Sequence, residues 1–246
     1  MRILCHNVFW FQGVPFSPDS PGEPEVEVFQ ALMDLYRRLE PDVLCLQEVQ
    51  SEQIFHDLRA CLGMAGAYCA GGQLRQYGGA TLWRSGAAFG DSRQAGLQRM
   101  WQIAAISSEG SQDVTVCNVH LPSARQVGET AAARQRVEEL AGAVRTRPQV
   151  VMGDFNEAPG GGVSDFMAGQ GYVDAAVLTD QALKPTSLGG KRGDQVWVHV
   201  SRREQVTGYG VLMEEDLATS IEGKTHLSDH LPLWVDLDTG DEGYAI

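Results

Sequence analysis

Apolar runs that end in a polar side chain recur along this chain of 246 residues, and helical segments separate several of them. RILCH is followed by Asn7, DVLCLQ by Glu48, and PQVVMG by Asp154. Short runs of this kind are typical of strands buried on both faces. Residues 27–40 instead place apolar side chains on one helical face. The pattern predicts a fold of mixed strands and helices, with polar groups at strand ends where such folds place their chemistry.

The stretch HLSDHLPLW, residues 226–234, gives the same pattern at the start of a strand. Apolar side chains alternate from Leu231 to Leu237, which predicts a strand with one buried face. Asp229 and His230 stand directly before it, so a rigid sheet would hold both side chains beside solvent. An isolated Asp-His pair is typical of a polar loop, and it indicates a site only if partners come from elsewhere in the chain.

The composition is that of a globular protein, with 43% hydrophobic and 21% charged residues. We interpret residues 1–246 as one domain with a frayed acidic tail at 239–246. A net charge of -13 argues against a surface that grips long nucleic acid duplexes nonspecifically. The N-terminus lacks a secretory pattern and no apolar run approaches the roughly 20 residues of a membrane span. Five cysteines without CxxC spacing indicate reduced thiols, so we expect a cytoplasmic protein.

The carboxylates among these strand-end residues suit a hard divalent cation. Mg²⁺ prefers oxygen ligands, usually one or two carboxylates together with water and substrate phosphate. Glu48 is the leading ligand candidate, and Asp229 and Asp154 are the others. We expect Mg²⁺ as the cofactor, with Mn²⁺ as the alternative ion.

The imidazoles and the carboxamide suit the other half of a phosphoryl-transfer site. His230 can accept a proton from water near neutral pH, and Asp194 can hold its other ring nitrogen. Asn156 and His120 can donate hydrogen bonds to the phosphoryl oxygens as their charge grows. These residue types together predict a metal-assisted attack of water on phosphorus.

At these residues the chain resembles the endonuclease/exonuclease/phosphatase superfamily, which has the DNase I-like fold. The motifs are HNVFW, LQEV, NVHL, GDFN, RGDQVWV and SDHLPLW, and together they span nearly the whole chain. The resemblance implies a four-layer α-β-β-α sandwich, in which two mixed sheets pack face to face between helices. It also implies hydrolysis of phosphoesters with a divalent metal.

The same resemblance implies roles for the motif residues. Asn7 and Glu48 resemble the metal-site pair, and Asp229 resembles a carboxylate that binds the metal or supports it. Asp154 resembles the residue that orients the nucleophile or binds metal. Some nuclease members carry an acidic residue two positions after the first Asn, where this chain has Phe9.

The remaining motif residues resemble the base and the phosphate contacts. Asp194 and His230 resemble the base dyad, and Asn156 and His120 resemble the residues that contact phosphate. NVHL carries His120 as in many phosphodiesterase-like members, in place of the tyrosine motif of abasic-site endonucleases.

Substrate contacts are predicted from residues near the motifs. Asn118 lies within NVHL, Arg75 and Tyr77 lie in QLRQYGG, and Lys191 and Arg192 come just before Asp194. Local positive charge in an acidic chain can attract a phosphorylated substrate. The alternative is that these segments are solvated turns and that the tyrosine packs at a strand edge.

Three classes of function remain open from the sequence. The first is a nuclease or other phosphodiesterase, which we favour. The second is a phosphomonoesterase that acts on a small phosphorylated metabolite or a lipid headgroup. The third, a catalytically inactive binding module, is disfavoured because every site position carries a competent residue. The expected partner is a phosphoester substrate, and no feature indicates a protein partner.

Overall fold

A computed structural model describes residues 1–16, 21–84, 87–93, 96–107 and 112–240 of the chain. Most of the tail predicted at 239–246 lies outside the described residues. The strands are Arg2–Asn7 (β1), Val43–Gln47 (β2), Ala65–Cys69 (β3), Gly79–Trp83 (β4), Ala87–Arg93 (β5), Met100–Ile106 (β6), Val114–His120 (β7), Val150–Asp154 (β8), Tyr172–Asp174 (β9), Asp194–His199 (β10), Val206–Val211 (β11) and Leu233–Leu237 (β12). The α-helices are Val26–Leu39 (α1), Glu52–Leu62 (α2), Ala124–Val127 (α3), Glu129–Ala143 (α4), Gly162–Gly169 (α5), Ala175–Leu178 (α6) and Glu214–Leu217 (α7).

The strands form two six-stranded mixed sheets. The first has the order β11-β12-β1-β2-β4-β3 and the second β5-β6-β7-β8-β10-β9. Each sheet has one parallel pair at its centre, β1 with β2 and β7 with β8, and the other neighbours are antiparallel. The central strands of both sheets therefore have a hydrogen-bonded neighbouring strand on each side.

Side-chain alternation along the strands separates two apolar cores. Val150 and Met152 of β8 belong to the large core that also holds residues of the first sheet. Val151, between them, belongs to a second core with Leu140 of α4 and Met167 of α5. Because successive side chains point to opposite faces, one face of the second sheet meets the first sheet and the other meets helices.

Helices α1 and α2 cover the first sheet in the same way. Val28, Leu32 and Leu35 of α1 are buried, which is the face that the sequence spacing predicts. Ser51 caps α2, with its hydroxyl accepting from the Ile54 amide, and a left-handed Gly63 ends the helix. The predicted four-layer sandwich is confirmed.

A buried polar network joins the two sheets below the site. Gln47 of β2 donates from Nε2 to Asn118 Oδ1 of β7 at 2.6 Å. Asn118 Nδ2 donates to the carbonyl of Leu46, and Thr81 of β4 donates to Gln102 Oε1 of β6 at 2.7 Å. These bonds link strands of opposite sheets, so they help to fix the position of one sheet relative to the other.

Three strands differ from the sequence prediction. β3 and β9 lie in segments that we did not predict as strands, and β5 falls in residues left between two predicted strands. β3 contains Ala65, Gly66 and Ala67, which carry almost no apolar signal. β9 has three residues, too few for a period to show. Among the helices described, none is long and apolar enough to cross a membrane.

Candidate active site

The parallel pairs bring the predicted residues to one end of the sandwich. Asn7 is the last residue of β1, and Glu48 follows the end of its neighbour β2. In the second sheet, His120 at the end of β7 is in register with Asp154 at the end of β8. Asp194 at the start of antiparallel β10 is in register with the same Asp154. Five side chains from both sheets therefore lie at the same edge.

Asn7 connects the two sheets at this edge. Its Nδ2 donates to Glu48 Oε1 and to Asp154 Oδ2, at 3.2 Å in both cases. Its Oδ1 accepts from the backbone amide of Phe9 at 3.1 Å. The side chain is 1% exposed, so these bonds form away from bulk water. The predicted pairing of Asn7 with Glu48 is observed as a contact.

Glu48 carries a buried carboxylate that the surrounding residues satisfy only in part. Its backbone is left-handed, with a φ of 61°, which turns the chain away from the β2 direction at this residue. Burial raises the pKa of Glu48 to about 7, and the charge of Asp229 adds to the increase. Among the described residues, none provides a hydrogen bond to Glu48 Oε2 or to Asp229 Oδ1. Two carboxylate oxygens are thus left without donors.

His120 lies between the two sheets and is fully buried. Its Nε2 lies 3.4 Å from Asp154 Oδ2 and 3.9 Å from Glu48 Oε1, and it also contacts the Arg99 guanidinium. Burial and the charge of Arg99 lower the pKa of His120 to about 3, so the ring is neutral near pH 7. Burial by itself would raise the pKa of Asp154, but the hydrogen bond from His120 and the charge of His230 hold it below its ordinary value.

His230 and Asp194 form a direct hydrogen-bonded pair. His230 Nδ1 lies 2.8 Å from Asp194 Oδ2 and 3.1 Å from Oδ1. Burial acts to lower the pKa of His230, but the charges of Asp194 and Asp229 outweigh it and raise the pKa well above its ordinary value. His230 Nε2 is 4.0 Å from Asp229 Oδ1, which is beyond hydrogen-bond distance. This nitrogen is therefore placed to exchange a proton with a ligand.

The donor set suits a hard cation. Glu48 and Asp229 each offer a buried oxygen that lacks a hydrogen bond within the described part of the chain. A second group, Asp154, Asp194 and His230, offers ligand atoms within 4.8 Å of one another. Buried charge without a partner costs free energy, and a divalent cation would remove that cost. The residues therefore fit the metal that the sequence predicts.

Asn156 is held by backbone contacts. Its backbone N–H donates to Asp154 Oδ1 at 2.9 Å, and its side-chain Nδ2 donates to the carbonyl of Leu121 at 3.1 Å. Its φ of 51° is left-handed. The contact with Asp154 places Asn156 beside the site, and one of its side-chain donor hydrogens is engaged with the loop after β7.

Tyr77 lies at the site, and Arg75 lies on the surface. The Tyr77 ring contacts His120 edge to face at 5.8 Å, and the Arg99 guanidinium lies 4.2 Å from its centre. Gln126 donates to its hydroxyl at 3.2 Å. Arg75 is exposed. Tyr77 is only 6% exposed, so this residue is packed within the protein and also lies beside the site.

Two predicted substrate contacts need correction. Asn118 is fully buried, and its carboxamide bonds to Gln47 and to carbonyls of the first sheet, so it joins the sheets instead of facing a substrate. Arg192 is 8% exposed, and its Nη2 lies 2.7 Å from both carboxylate oxygens of Asp174. Lys191 is exposed, as the solvated-turn alternative requires.

Three functional side chains were missed by sequence reasoning. Arg99 is 4% exposed and contacts His120. The sequence signal for it was a charged residue directly before β6, because Met100, the first residue of β6, is in register with His120. His6 lies beside His230, with Nε2 at 3.1 Å from the His230 carbonyl. Ser228 donates to the Asn7 carbonyl at 2.8 Å and accepts from the His230 amide at 3.1 Å.

The chain matches a known protein family and several solved structures. The model of the Endonuclease/Exonuclease/phosphatase family matches residues 4–230. No curated protein matches the chain. Danio rerio TDP2 complexed with a single-strand DNA product has a TM-score of 0.69 at 15% identity, covering 97% of this chain and 99% of that one.

Two further structures have the same fold. The human Nocturnin catalytic domain with bound sulfate has a TM-score of 0.63 at 18% identity, over 97% of this chain and 94% of that one. The Bacteroides thetaiotaomicron mannosyl-6-phosphatase has a TM-score of 0.66 at 17% identity, over 97% and 99%. The family model covers most of the chain and all of the motifs described above except the end of the last one. The chain therefore belongs to the endonuclease/exonuclease/phosphatase family, whose members are phosphoester hydrolases.

Proposed function

We propose that this protein is a phosphodiesterase that uses Mg²⁺ or Mn²⁺ and a water activated by His230. The observation that carries the proposal is the 2.8 Å bond between His230 and Asp194, beside Asp154 and 4.0 Å from Asp229 Oδ1, which has no hydrogen bond from a described residue. A base and a cation site at the same strand ends are the two components that hydrolysis at phosphorus needs.

Glu48, Asn7 and Asp229 are the residues that would hold the cation. Glu48 and Asp229 each present a carboxylate oxygen that lacks a hydrogen bond from the described residues, and oxygen donors suit Mg²⁺. Asn7 Nδ2 donates to Glu48 Oε1, so Asn7 would hold this carboxylate in place. When bound, the cation would act as a Lewis acid on the phosphoryl group. Asp154 lies between this group and the dyad, so it can orient the attacking water or serve as a further ligand.

His230 acts as the general base. Asp194 accepts a hydrogen bond from His230 Nδ1, which leaves the Nε2 lone pair for the water. Nε2 takes one proton as the water oxygen bonds to phosphorus, and the bond from phosphorus to the leaving oxygen breaks. The leaving oxygen then takes up a proton from solvent, and His230 releases the proton that it accepted. Arg99 and neutral His120 steady the charge on the phosphoryl oxygens.

The second candidate is phosphomonoester hydrolysis. A terminal phosphate carries more negative charge than a diester, and the Arg99 guanidinium places one buried positive charge at the site. The solved structures of similar fold include both a TDP2 with a DNA product and a mannosyl-6-phosphatase. The net charge of -13 favours a small or single-stranded substrate over a long duplex.

The first experiment measures hydrolysis of bis(p-nitrophenyl) phosphate and p-nitrophenyl phosphate after metal removal. We expect EDTA to abolish activity and Mg²⁺ or Mn²⁺ to restore it, with the diester as the better substrate. Full activity in excess EDTA would sink the proposal, and a strong preference for the monoester would select the second candidate.

The dyad is tested by a double-mutant cycle. His230→Ala and Asp194→Asn should each lower kcat by about a hundredfold or more, and the double variant should be little worse than the more damaging single one. Matched controls are His56→Ala and Asp57→Asn on the exposed face of α2, which should leave kcat unchanged. Losses that simply multiply in the double variant would count against a dyad.

A further inference from the structure

Four aromatic rings form a continuous wall that begins at the phosphoryl-binding residues. Tyr77 contacts the His120 ring at 5.8 Å, and Trp10 contacts Tyr77 at 5.0 Å. Phe9 lies 5.9 Å from Trp10 and 5.8 Å from Phe16, between ring centres. We use the term aromatic wall for Phe9, Trp10, Phe16 and Tyr77. It leads from His120 to the loop after β1.

The aromatic wall is attached to the metal-site residue as well. The Phe9 amide donates to Asn7 Oδ1 at 3.1 Å, so the position of Phe9 is coupled to a side chain that also bonds Glu48. The polar atoms along the wall are engaged: the Trp10 indole donates to the Gln76 carbonyl at 2.8 Å, and the Tyr77 hydroxyl accepts from Gln126. What remains to face a ligand is ring carbon.

The backbone of the wall is strained. Phe9, Trp10 and Phe11 have φ values of 49°, 51° and 58°, a left-handed region that costs an L-residue roughly 1–2 kcal/mol. Trp10 and Phe11 are 4% and 0% exposed, so burial of their rings offsets that cost. Phe9 is only partly buried. Its ring gains less from burial, although it shares the same strain.

We propose that Phe9 and Phe16 form a subsite for a planar aromatic group of the substrate, next to the phosphoryl-binding residues. The inference rests on the proposed function and specifies its substrate class: a phosphoester that carries an aryl group or a nucleobase. Partly exposed rings that continue the wall from His120 suit such a group, because aromatic rings stack or meet edge to face with a free-energy gain.

The test measures dissociation constants by calorimetry with Mg²⁺ for phosphonates, which the enzyme does not hydrolyse. One pair is phenylphosphonate and ethylphosphonate, and the other is a nucleoside 5′-phosphonate and ribose 5-phosphonate. We expect the aromatic member of at least one pair to bind about tenfold more tightly to wild type. The pair with the larger ratio identifies the aromatic group as aryl or nucleobase.

Substitutions test whether Phe9 and Phe16 cause the tighter binding of the aromatic ligand. Phe9→Leu keeps an apolar side chain in the same backbone conformation, and we expect it to reduce the tenfold preference to about twofold. Phe16→Leu is the second variant, with the same expectation. Phe29→Leu is the control, because Phe29 packs on Phe11 through a different ring contact, at 5.1 Å. Thermal unfolding midpoints show whether each variant is folded.

Two results would overturn the inference: equal affinity within both pairs for wild type, or a preference that survives both Phe9→Leu and Phe16→Leu. Failure of the proposed function has a different readout. An enzyme that hydrolyses no phosphoester with Mg²⁺ or Mn²⁺ would overturn that function, whereas the phosphonate measurement involves no turnover.

Discussion

Two buried charged clusters include residues at the ends of β7 and β8 or in the loops that follow them, and the clusters differ in how fully their charges are compensated. In the first, which we call the arginine cluster, Arg136 of α4 lies 3.0 Å from Glu129 and 3.1 Å from Glu157, and it donates to the Pro122 carbonyl at 2.9 Å. The Arg136 side chain is 1% exposed. Glu157 also accepts from the Val163 amide. This cluster ties both loops to α4.

The active-site cluster combines His120 and Asp154, at the ends of β7 and β8, with Glu48 after β2 and Asp229 before β12. Here Glu48 Oε2, His120 Nδ1 and Asp229 Oδ1 are buried without a hydrogen-bond partner in the described part of the chain. Its carboxylates also outnumber its one full positive charge, Arg99, when the histidines are neutral. The buried charges of the arginine cluster are paired within the protein, as expected for a structural role. The buried polar atoms of the active-site cluster that lack a partner among the described residues are as expected for a site that binds a ligand. The comparison implies that substitutions in the two clusters should affect different quantities.

The largest effect is expected at Glu48. Glu48→Gln should lower kcat about a thousandfold, because it removes a ligand of a Lewis-acidic cation. Since the folded-state pKa of Glu48 is raised from 4.5 to about 7, ionisation of this group makes wild type less stable as pH rises through that interval. Glu48→Gln has no carboxylate to ionise at this position. Without metal at pH 8, it should therefore unfold at a temperature equal to or higher than that of metal-free wild type. Marked destabilisation of Glu48→Gln would show that Glu48 is needed for stability, and it would contradict the expectation that the two clusters affect different quantities.

The arginine cluster should respond in the opposite sense. Arg136→Met leaves Glu157 buried without its cation, so we expect a loss of about 3 kcal/mol in the free energy of unfolding, measured by urea denaturation. Below the unfolding midpoint kcat should stay near the wild-type value. The double variant Arg136→Met/Glu157→Gln should recover part of the stability, since Glu129, the charge that still lacks its partner, is exposed to water. A kcat loss comparable to that of Glu48→Gln would show that both clusters serve catalysis.

The pH profile tests how the dyad is charged. The pKa of His230 is raised above 6.5 by Asp194 and Asp229 against the effect of burial, so the base is protonated at low pH. Activity should therefore rise with pH, with its acidic limb above pH 6.5. Asp194→Asn should move that limb to lower pH while lowering the plateau. Profiles of kcat at fixed metal concentration check both statements, and an unmoved limb would contradict the assignment of Asp194.

The smallest effects are expected outside both clusters. Lys191 and Arg75 are exposed, and exposed charges contribute little to binding when salt screens them. Lys191→Ala and Arg75→Ala should raise KM by no more than about twofold at 0.15 M salt. An increase above tenfold would restore the sequence prediction that these segments contact substrate. Arg192→Ala should instead lower stability, because Asp174 loses its buried partner.

The polar residues at strand ends can be located from the sequence, whereas the residues that contact them from other elements cannot. Asn7, Glu48 and Asp154 each follow an apolar run, and that local signal survives in one sequence. His6 precedes Asn7 within a strand, and nothing local indicates that its ring reaches the His230 carbonyl 224 positions away. Arg192 illustrates the converse error: a basic residue beside a motif suggested substrate contact, but Asp174 from β9 neutralises it.

Burial also explains the state of His6. Desolvation lowers its pKa to about 3, so the ring is neutral; Nε2–H then donates to the His230 carbonyl and Nδ1 accepts from the Tyr36 hydroxyl at 2.6 Å. No residue type or spacing in RILCHN could reveal this, because the pKa depends on what covers the ring.

The sequence by itself determined the periods of the strands and helices, the apolar faces they bury, and the motifs that mark strand ends. These are properties of neighbouring residues, since the periods of 2.0 and 3.6 follow from local backbone geometry. Only the tertiary structure decided which strand ends meet, because β1 pairs with β2 and β7 with β8 across long connections, and the two sheets then face each other. Among the described residues, Glu48 Oε2 and Asp229 Oδ1 are then left without a hydrogen-bond partner and Arg136 is paired with Glu157, since compensation of a charge depends on distance in space.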